Sequence, residues 1–377
     1  MLMKGFNNGS KRALLLLTLM AGSGIAAWRA HAWWFWAISP PEVATGVRNQ
    51  KPVMFQIPPG TSAGQIGKKL HSLGLIRSST AWNLWARWLA TQNTSGSFQA
   101  GTYSFLRTDA LPAIAAKIWS GDVAQVSFTI PEGWNLKQMA HYFEAEGFFS
   151  AKDFLQATQQ FTTTDYPWLP PVSSGYPRLE GYLFPDTYQV AVGKVTPEDV
   201  IRQMLARFEQ VALPVYQQSD QSMTLAAWVT LSSIVEKESV VVNERSRIAG
   251  VFHNRLKQGM PLGADPTVEY GLGIQQTPDR PLTFAEVNTP SPYNTYLNSG
   301  LPPTPIAGPG LASLKATLNP EQTDYLYFVA RYDGTHVFSR TLAEHQAAQE
   351  LIHAQREAAP KLSQPKTTSP QPTSNPG

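Results

Sequence analysis

The sequence predicts an α+β chain in three parts: an N-terminal membrane anchor, a small α+β region over residues 50–160, and a larger mixed α/β domain over 175–358. Three observations predict it. An apolar run behind basic residues opens the chain, a strand–turn–helix pattern then occurs twice, and helical periodicity dominates the second half. With 377 residues, 42% of them apolar and 15% charged, the chain has material for a sizeable core and two folded units.

Lys4, Lys11 and Arg12 precede the apolar run 13–28, which alone falls short of the about 20 residues a spanning helix needs. Counting on through Trp33, Trp34, Phe35 and Trp36 supplies the length. The anchor is therefore expected at 13–36, with residues 1–12 cytoplasmic. Arg29 and His31 then fall near the outer interface, where a long cation can snorkel and Trp is favoured. The basic flank predicts a single-pass, N-in and C-out orientation in the inner (cytoplasmic) membrane, with the rest of the chain on the periplasmic, extracytoplasmic side. Ala30-His31-Ala32 also fits a signal-peptide cleavage site, and either outcome exports the remainder.

In the next region, Val53-Met54-Phe55-Gln56-Ile57-Pro58-Pro59-Gly60 matches Val126-Ser127-Phe128-Thr129-Ile130-Pro131-Glu132-Gly133. At the same offset Gln65, Leu70 and Gly74 fall on Gln138, Phe143 and Gly147. Each copy reads as an alternating strand, a Pro/Gly turn and a helix ended by glycine. The arrangement resembles the LysM-like modules that bind N-acetylated glycans, although ordinary α+β packing would look the same. Between the copies, Trp82, Trp85, Trp88 and Leu89 repeat at helical spacing, which suits a core better than a carbohydrate platform. Ala100 to Phe105 reads as another strand. The Pro/Ser/Thr-rich stretch 162–177 reads as a boundary, and the tail 359–377, nearly devoid of apolar residues, is expected to be disordered.

The strongest helix of the second half runs from Thr224 to about Ser239. Trp228, Leu231 and Val235 form its apolar stripe, and Glu238 is the next position on it. Glu236 lies about 200° around the helix, on the side of Ser232 and Ser233. A carboxyl on an apolar face is desolvated, which raises its pKa toward the range of a general acid. The competing reading pairs Glu238 with Lys237, Arg245 or Arg247 as an ordinary helix-end carboxylate. A second helix through Ile248, Val251, Phe252 and Leu256 ends at Gly259. A polar turn at Gly263, Ala264 and Asp265 then enters a short helix, where Asp265 before Pro266 could serve only as an N-cap.

Other chemistries find little support. The net charge of +3 is small, and Lys and Arg are scattered without a basic stripe, so nucleic acid is not an expected partner. The absence of cysteine removes disulfides, thiol catalysis and thiolate metal sites. No Gly-rich phosphate loop, zinc-binding His-Glu-x-x-His helix or Gly-x-Ser-x-Gly elbow occurs. Neither a cofactor nor a metal is expected. His336 and His345 are the only histidines that could cooperate, and core or surface roles suit both.

Five ordered motifs carry a resemblance. Leu179-Glu180-Gly181-Tyr182-Leu183-Phe184-Pro185-Asp186-Thr187-Tyr188, Ser233-Ile234-Val235-Glu236-Lys237-Glu238, Asp265-Pro266-Thr267-Val268 with Tyr270-Gly271, Ser291-Pro292-Tyr293-Asn294-Thr295-Tyr296 and Gly300-Leu301-Pro302-Pro303 closely resemble the endolytic murein transglycosylases of the YceG-like family. The resemblance implies a peptidoglycan lytic transglycosylase, a lyase acting on nascent glycan strands. It makes the second glutamate, Glu238, catalytic, followed by Ser239 as in the Glu-Ser pair of lytic transglycosylases. It offers Glu180, Asp265, Tyr293 and Asn294 as glycan-orienting groups, with turn and cap roles as the alternative. Gly263-Ala264 departs from it, because a longer polar side chain is expected before Asp265. The implied mechanism uses one carboxyl as acid and then base, so no carboxylate partner for Glu238 is expected. Penicillin-binding peptidoglycan synthases are the implied protein partners.

Two rivals stay open. One is a glycoside hydrolase pairing Glu238 with Asp265, Glu269 or Glu180. The other is a non-catalytic glycan-binding adaptor for the synthases.

Overall fold

The computed structural model describes residues 8–42, 51–92, 96–171, 175–193, 195–277, 280–331 and 333–358, with side chains described between 16 and 355. The expected tail at 359–377 and the first seven residues lie outside the described residues. The chain divides into two compact units, Met1–Phe128 with Tyr188–Val195, and Thr129–Thr187 with Thr196–Gly377. The structure is mixed α+β with small sheets, as expected.

The first unit begins with helix α1 (Asn8–Ile38). Among the described residues no helix is long and apolar enough to cross a membrane; the expected anchor 13–36 begins ahead of the first described side chain, at residue 16, so part of it lies outside the described side chains. Strand β1 (Val53–Ile57), helices α2 (Ala63–Ser72) and α3 (Ser79–Gln92), strand β2 (Gly101–Phe105) and helix α4 (Leu111–Ser120) follow. β1 and β2 pair antiparallel with Phe55 opposite Tyr103 and Ile57 opposite Gly101. The alternation buries Phe55, Ile57, Tyr103 and Phe105 against Ile66, Leu70, Trp82 and Ile114. Trp82 is fully buried and donates its indole N–H to Ala63 O at 2.8 Å. Gly67 makes room for that ring, since a Cβ there would lie 2.2 Å from it. Of the aromatic stripe, Trp82 belongs to the core, Trp85 is half-buried and Trp88 is exposed.

The repeat is realised in both copies. Ser62 with Gln65, and Asn135 with Gln138, form capping boxes that open α2 and its counterpart α5 (Leu136–Ala145). β1 leads into the first box, and β3 (Gln125–Thr129), paired with the later strand β4 (Thr187–Ala191), leads into the second. Gly60 and Gly133 take φ of 78° and 77° in the turns.

The second unit continues with α6 (Ala151–Gln160), α7 (Pro197–Val211), α8 (Leu213–Gln217) and α9 (Leu225–Glu238). The described part of the expected boundary, 162–171 and 175–177, lies inside this unit, in which α6 packs on α7. Trp168 of that stretch stacks on Phe208 with ring centroids 5.2 Å apart.

α9 is the central element. It is opened by Thr224, whose hydroxyl accepts from Ala227 N, and it buries Trp228, Leu231 and Val235 as its periodicity predicts. Helices α10 (Arg245–Lys257), α11 (Asp265–Leu272), α12 (Phe284–Val287) and α13 (Leu311–Leu318) come next, and a hairpin of β5 (Tyr327–Ala330) and β6 (His336–Ser339) precedes α14 (Leu342–Ala358). α10, α11 and α13 all pack on α9, and α14 packs on the hairpin.

The side of α9 expected to be merely polar is instead buried. Ser232 Oγ lies 2.6 Å from Thr317 Oγ1, and Ser233 Oγ accepts from Ile306 N at 3.0 Å. Glu236 accepts from Arg245 Nη2 at 3.2 Å and from Gly310 N at 3.0 Å, while Arg245 Nε donates to Ser313 Oγ at 3.0 Å. Both side chains of this ion pair are about nine-tenths buried, at 10% and 7% exposure. Removing one partner would strand the other charge. Arg245→Ala is therefore expected to destabilise the chain by about 3–5 kcal/mol in urea denaturation, against about 0–1 kcal/mol were the pair a surface contact.

Candidate active site

α9 delivers Glu238 at its last turn, with Ser239 as C-cap in extended conformation. The side chain is half-buried and lines a cavity of about 840 Å³ with Lys237, Arg255, Asp265, Glu269 and Tyr296. No described residue hydrogen-bonds the carboxyl: Arg245 is taken by Glu236, and Arg247 pairs with Glu321 at 3.0 Å. Burial, aided by the carboxylates of Asp265 and Glu269, pushes Glu238 up to about 8, against the pull of Arg255 and Lys237.

The neighbouring carboxylates are held in place. Asp265 stands at the start of α11, but Ala264 is the cap residue and Asp265 makes no capping bond. Its Oδ1 accepts from Tyr296 Oη at 2.7 Å. Glu269 accepts from Gln276 N at 2.5 Å. The expectation is that Glu238 has no carboxylate partner; no carboxylate bonds it among the described residues, but the packing of α11 on the end of α9 brings Asp265 and Glu269 into its cavity as charged neighbours.

Arg255 supplies the opposing charge. Its guanidinium donates to Leu326 O at 2.5 Å and Leu262 O at 2.7 Å and lies 5.1 Å from the centre of the Tyr327 ring. Backbone carbonyls thus fix it as a point of positive charge. Gly263, the departure from the family pattern, has φ of 55° and fits between Arg255 and Tyr296; a Cβ there would lie 3.3 Å from Arg255 Nη1. Ala264 is buried. At Gly263 the left-handed backbone disfavours any longer side chain.

The remaining expected residues separate. Ser239 Oγ is buried without a hydrogen-bond partner among the described residues. Asn294 is fully buried, donates to Val287 O and Thr289 O, and accepts from Tyr296 N at 3.0 Å, so it shapes the turn that presents Tyr296. Glu180 is buried away from the cavity, accepting from Leu136 N at 3.1 Å and Tyr270 Oη at 2.8 Å, and burial raises it to about 7. Tyr293 bonds Thr304 at 2.7 Å and packs on Tyr270 beside a second cleft of about 460 Å³. That cleft shares Glu269 and Gln275 with the first.

Sequence reasoning missed Arg255 and Tyr296. A signal for Arg255 existed, because it continues the apolar stripe of α10 seven residues after Ile248. Tyr296 closes the 291–296 motif, in which Tyr293 and Asn294 are the expected glycan-orienting residues. His336 and His345 also line the cavity; His336 Nδ1 lies 2.7 Å from Glu244 Oε2, and His345 stacks on Tyr327.

The family described as YceG-like matches residues 55–351. The chain belongs to the YceG-like family. Among its relatives, the endolytic murein transglycosylase of Bacillus subtilis (strain 168) is 35% identical over 310 residues, covering 79% of this chain and 84% of the relative. The endolytic murein transglycosylase of Streptococcus pneumoniae serotype 2 (strain D39 / NCTC 7466) is 31% identical over 309 residues, 75% of this chain, and the match spans 55% of that longer protein. The crystal structure of a YceG-like protein from Listeria monocytogenes aligns with a TM-score of 0.53 at 31% identity, covering 80% of this chain and all of that one.

For this YceG-like chain the raised Glu238 has a signed consequence. The group titrates near 8 when folded and near 4.5 otherwise, so between these values the folded state keeps a proton that the unfolded state has lost. Stability therefore falls as pH rises through that window and levels off above it. Glu238→Gln removes the titration. The variant is expected to match wild type below about pH 4 and to exceed it by roughly a few kcal/mol above about pH 9 in urea denaturation. A difference independent of pH would contradict the raised Glu238.

Proposed function

We propose that the chain is an endolytic peptidoglycan lytic transglycosylase that cleaves the β-1,4 bond from N-acetylmuramic acid to N-acetylglucosamine within nascent glycan strands, and so ends their elongation. One observation carries this reading. Glu238 is a carboxyl raised to about 8, free of hydrogen bonds to the described residues, on the wall of a cavity large enough for sugars. At neutral pH it holds its proton, as a general acid must.

Glu238 protonates the glycosidic oxygen as positive charge develops on the muramyl ring. The carboxylates of Asp265 and Glu269 stabilise that charge, and their presence is also part of what keeps Glu238 protonated beforehand. Once ionised, Glu238 is favoured by Arg255 and removes the proton from the muramyl C6 hydroxyl. The freed oxygen attacks the anomeric carbon and closes a 1,6-anhydro ring without consuming water. A hydrolase would need a second carboxylate to attack or to activate water. Asp265 and Glu269 each accept a hydrogen bond, from Tyr296 Oη and the Gln276 amide, which holds them in place beside Glu238; the choice of ring closure over hydrolysis rests on the likeness to endolytic murein transglycosylases. Glu180 and Asn294 hold the surrounding turns, and Tyr293 edges the path of the strand in the second cleft.

The reading extends to the rest of the chain. α1 serves as a single-pass anchor, N-terminus inside, with the catalytic unit in the extracytoplasmic space. The first unit is a LysM-like glycan-binding module whose groove of about 620 Å³ is lined by Thr61, Gly64, Asn83, Arg87, Phe98 and Trp119. Glycan-polymerising penicillin-binding synthases supply the nascent strands; absence of any crosslink to them in intact membranes would count against that partnership.

Glu238→Gln is expected to lose about 10²–10⁴-fold in strand cleavage. Mass spectrometry of murein digested by the wild type should find 1,6-anhydro-muramyl ends. Reducing-end muramic acid would overturn ring closure, and full activity in the variant would overturn the role of Glu238.

A further inference from the structure

The end of α1 is fastened to the first unit by contacts that leave it no freedom as a tether. Ala37 is fully buried, and Trp34 and Ile38 pack on the core that contains Trp82. Arg77 donates from Nε to Pro40 O at 2.8 Å and lies 5.5 Å from the centre of the Trp36 ring. The depth of α1 in a bilayer would therefore set the depth of α3.

The length of α1 fixes that depth. The 31-residue helix is about 46 Å long at about 1.5 Å per residue. Residues 13–32 account for about 30 Å, the thickness of the hydrocarbon layer. Trp33 and Trp34 then stand at the level of the headgroups, where tryptophan is favoured. Trp34 stacks on Trp85 of α3 at 6.2 Å, and Trp85 contacts Trp88 at 5.0 Å. Trp88 and Leu84 of the same helix are 49% and 47% exposed, which in water would leave large apolar side chains beside an already apolar α1.

We infer that Leu84, Trp85 and Trp88 continue the tryptophan belt of α1 and seat the first unit in the outer headgroup layer of the bilayer. The occupant of this face is lipid, because Trp34 and Trp85 join it directly to the helix that would cross the membrane, and because tryptophan beside arginine, here Trp36 under Arg77, is an interfacial composition. The inference rests on the anchor reading of α1. It means that the first unit does not float on a linker but lies against the surface where new strands emerge.

The cysteine-free chain allows single labels. The full chain carrying a fluorophore at Leu84→Cys, Trp88→Cys, Trp33→Cys, Leu19→Cys or the exposed β1 residue Met54→Cys is placed in nanodiscs of phosphatidylethanolamine and phosphatidylglycerol. Quenching by lipids with a nitroxide near the headgroup is compared with quenching by aqueous iodide. The labels at 84 and 88 are expected to be quenched by the lipid as strongly as the label at 33, with loss of the iodide quenching seen at 54. If the label at 19 is lipid-quenched while those at 84 and 88 respond only to iodide, the inference falls and the anchor stands. Labels at 84 and 88 shielded from both quenchers would mean that protein covers the patch, which also overturns it. A label at 19 open to iodide would remove the anchor and the inference together.

Discussion

The buried Glu236–Arg245 pair sets the rotation of α9, and the candidate site depends on that rotation. Glu236 joins α9 to the start of α10 through Arg245 and to the start of α13 through Gly310 N, with Ser313 holding the guanidinium from the other side. Two residues later the helix has turned about 200°, so Glu238 faces the cavity instead. One glutamate is fully satisfied and structural. The other lacks a hydrogen bond among the described residues, and that is the condition in which burial raises a carboxyl.

The cavity then balances charge around Glu238 without neutralising it. Asp265 and Glu269 hold it protonated, whereas Arg255 favours its ionised form. Each of these groups is tied down by something other than Glu238: Tyr296, the Gln276 amide, and the carbonyls of Leu262 and Leu326. Such a preorganised set can favour first the acid and then the base as charge moves through the proposed reaction, with little rearrangement. Gly263 is part of the same arrangement, since its left-handed backbone lets the turn pass between Arg255 and Tyr296.

Much of this was legible in the sequence where local rules act. Periodicity of 3.6 located α9 and separated Glu236 from Glu238, and the repeated strand, glycine turn and helix appear with matching capping boxes at Ser62 and Asn135. What depends on contacts between distant segments was not legible. Arg255 and Tyr296 meet Glu238 only because α10, the 291–296 turn and α11 converge, and the buried role of Glu180 requires the approach of Tyr270 from 90 residues away. The stretch 162–177 reads as a domain boundary by composition, but Trp168, stacked on Phe208, packs within the second unit. Composition reports solvation averages and not which aromatic finds a partner.

The central claim is that Glu238 is a neutral acid at physiological pH. Its carboxyl carbon can be followed by NMR in glutamate-labelled protein, assigned as the resonance missing from Glu238→Gln. The account predicts a titration midpoint near 8. A midpoint in the ordinary carboxylate range, about 4.3, would contradict it.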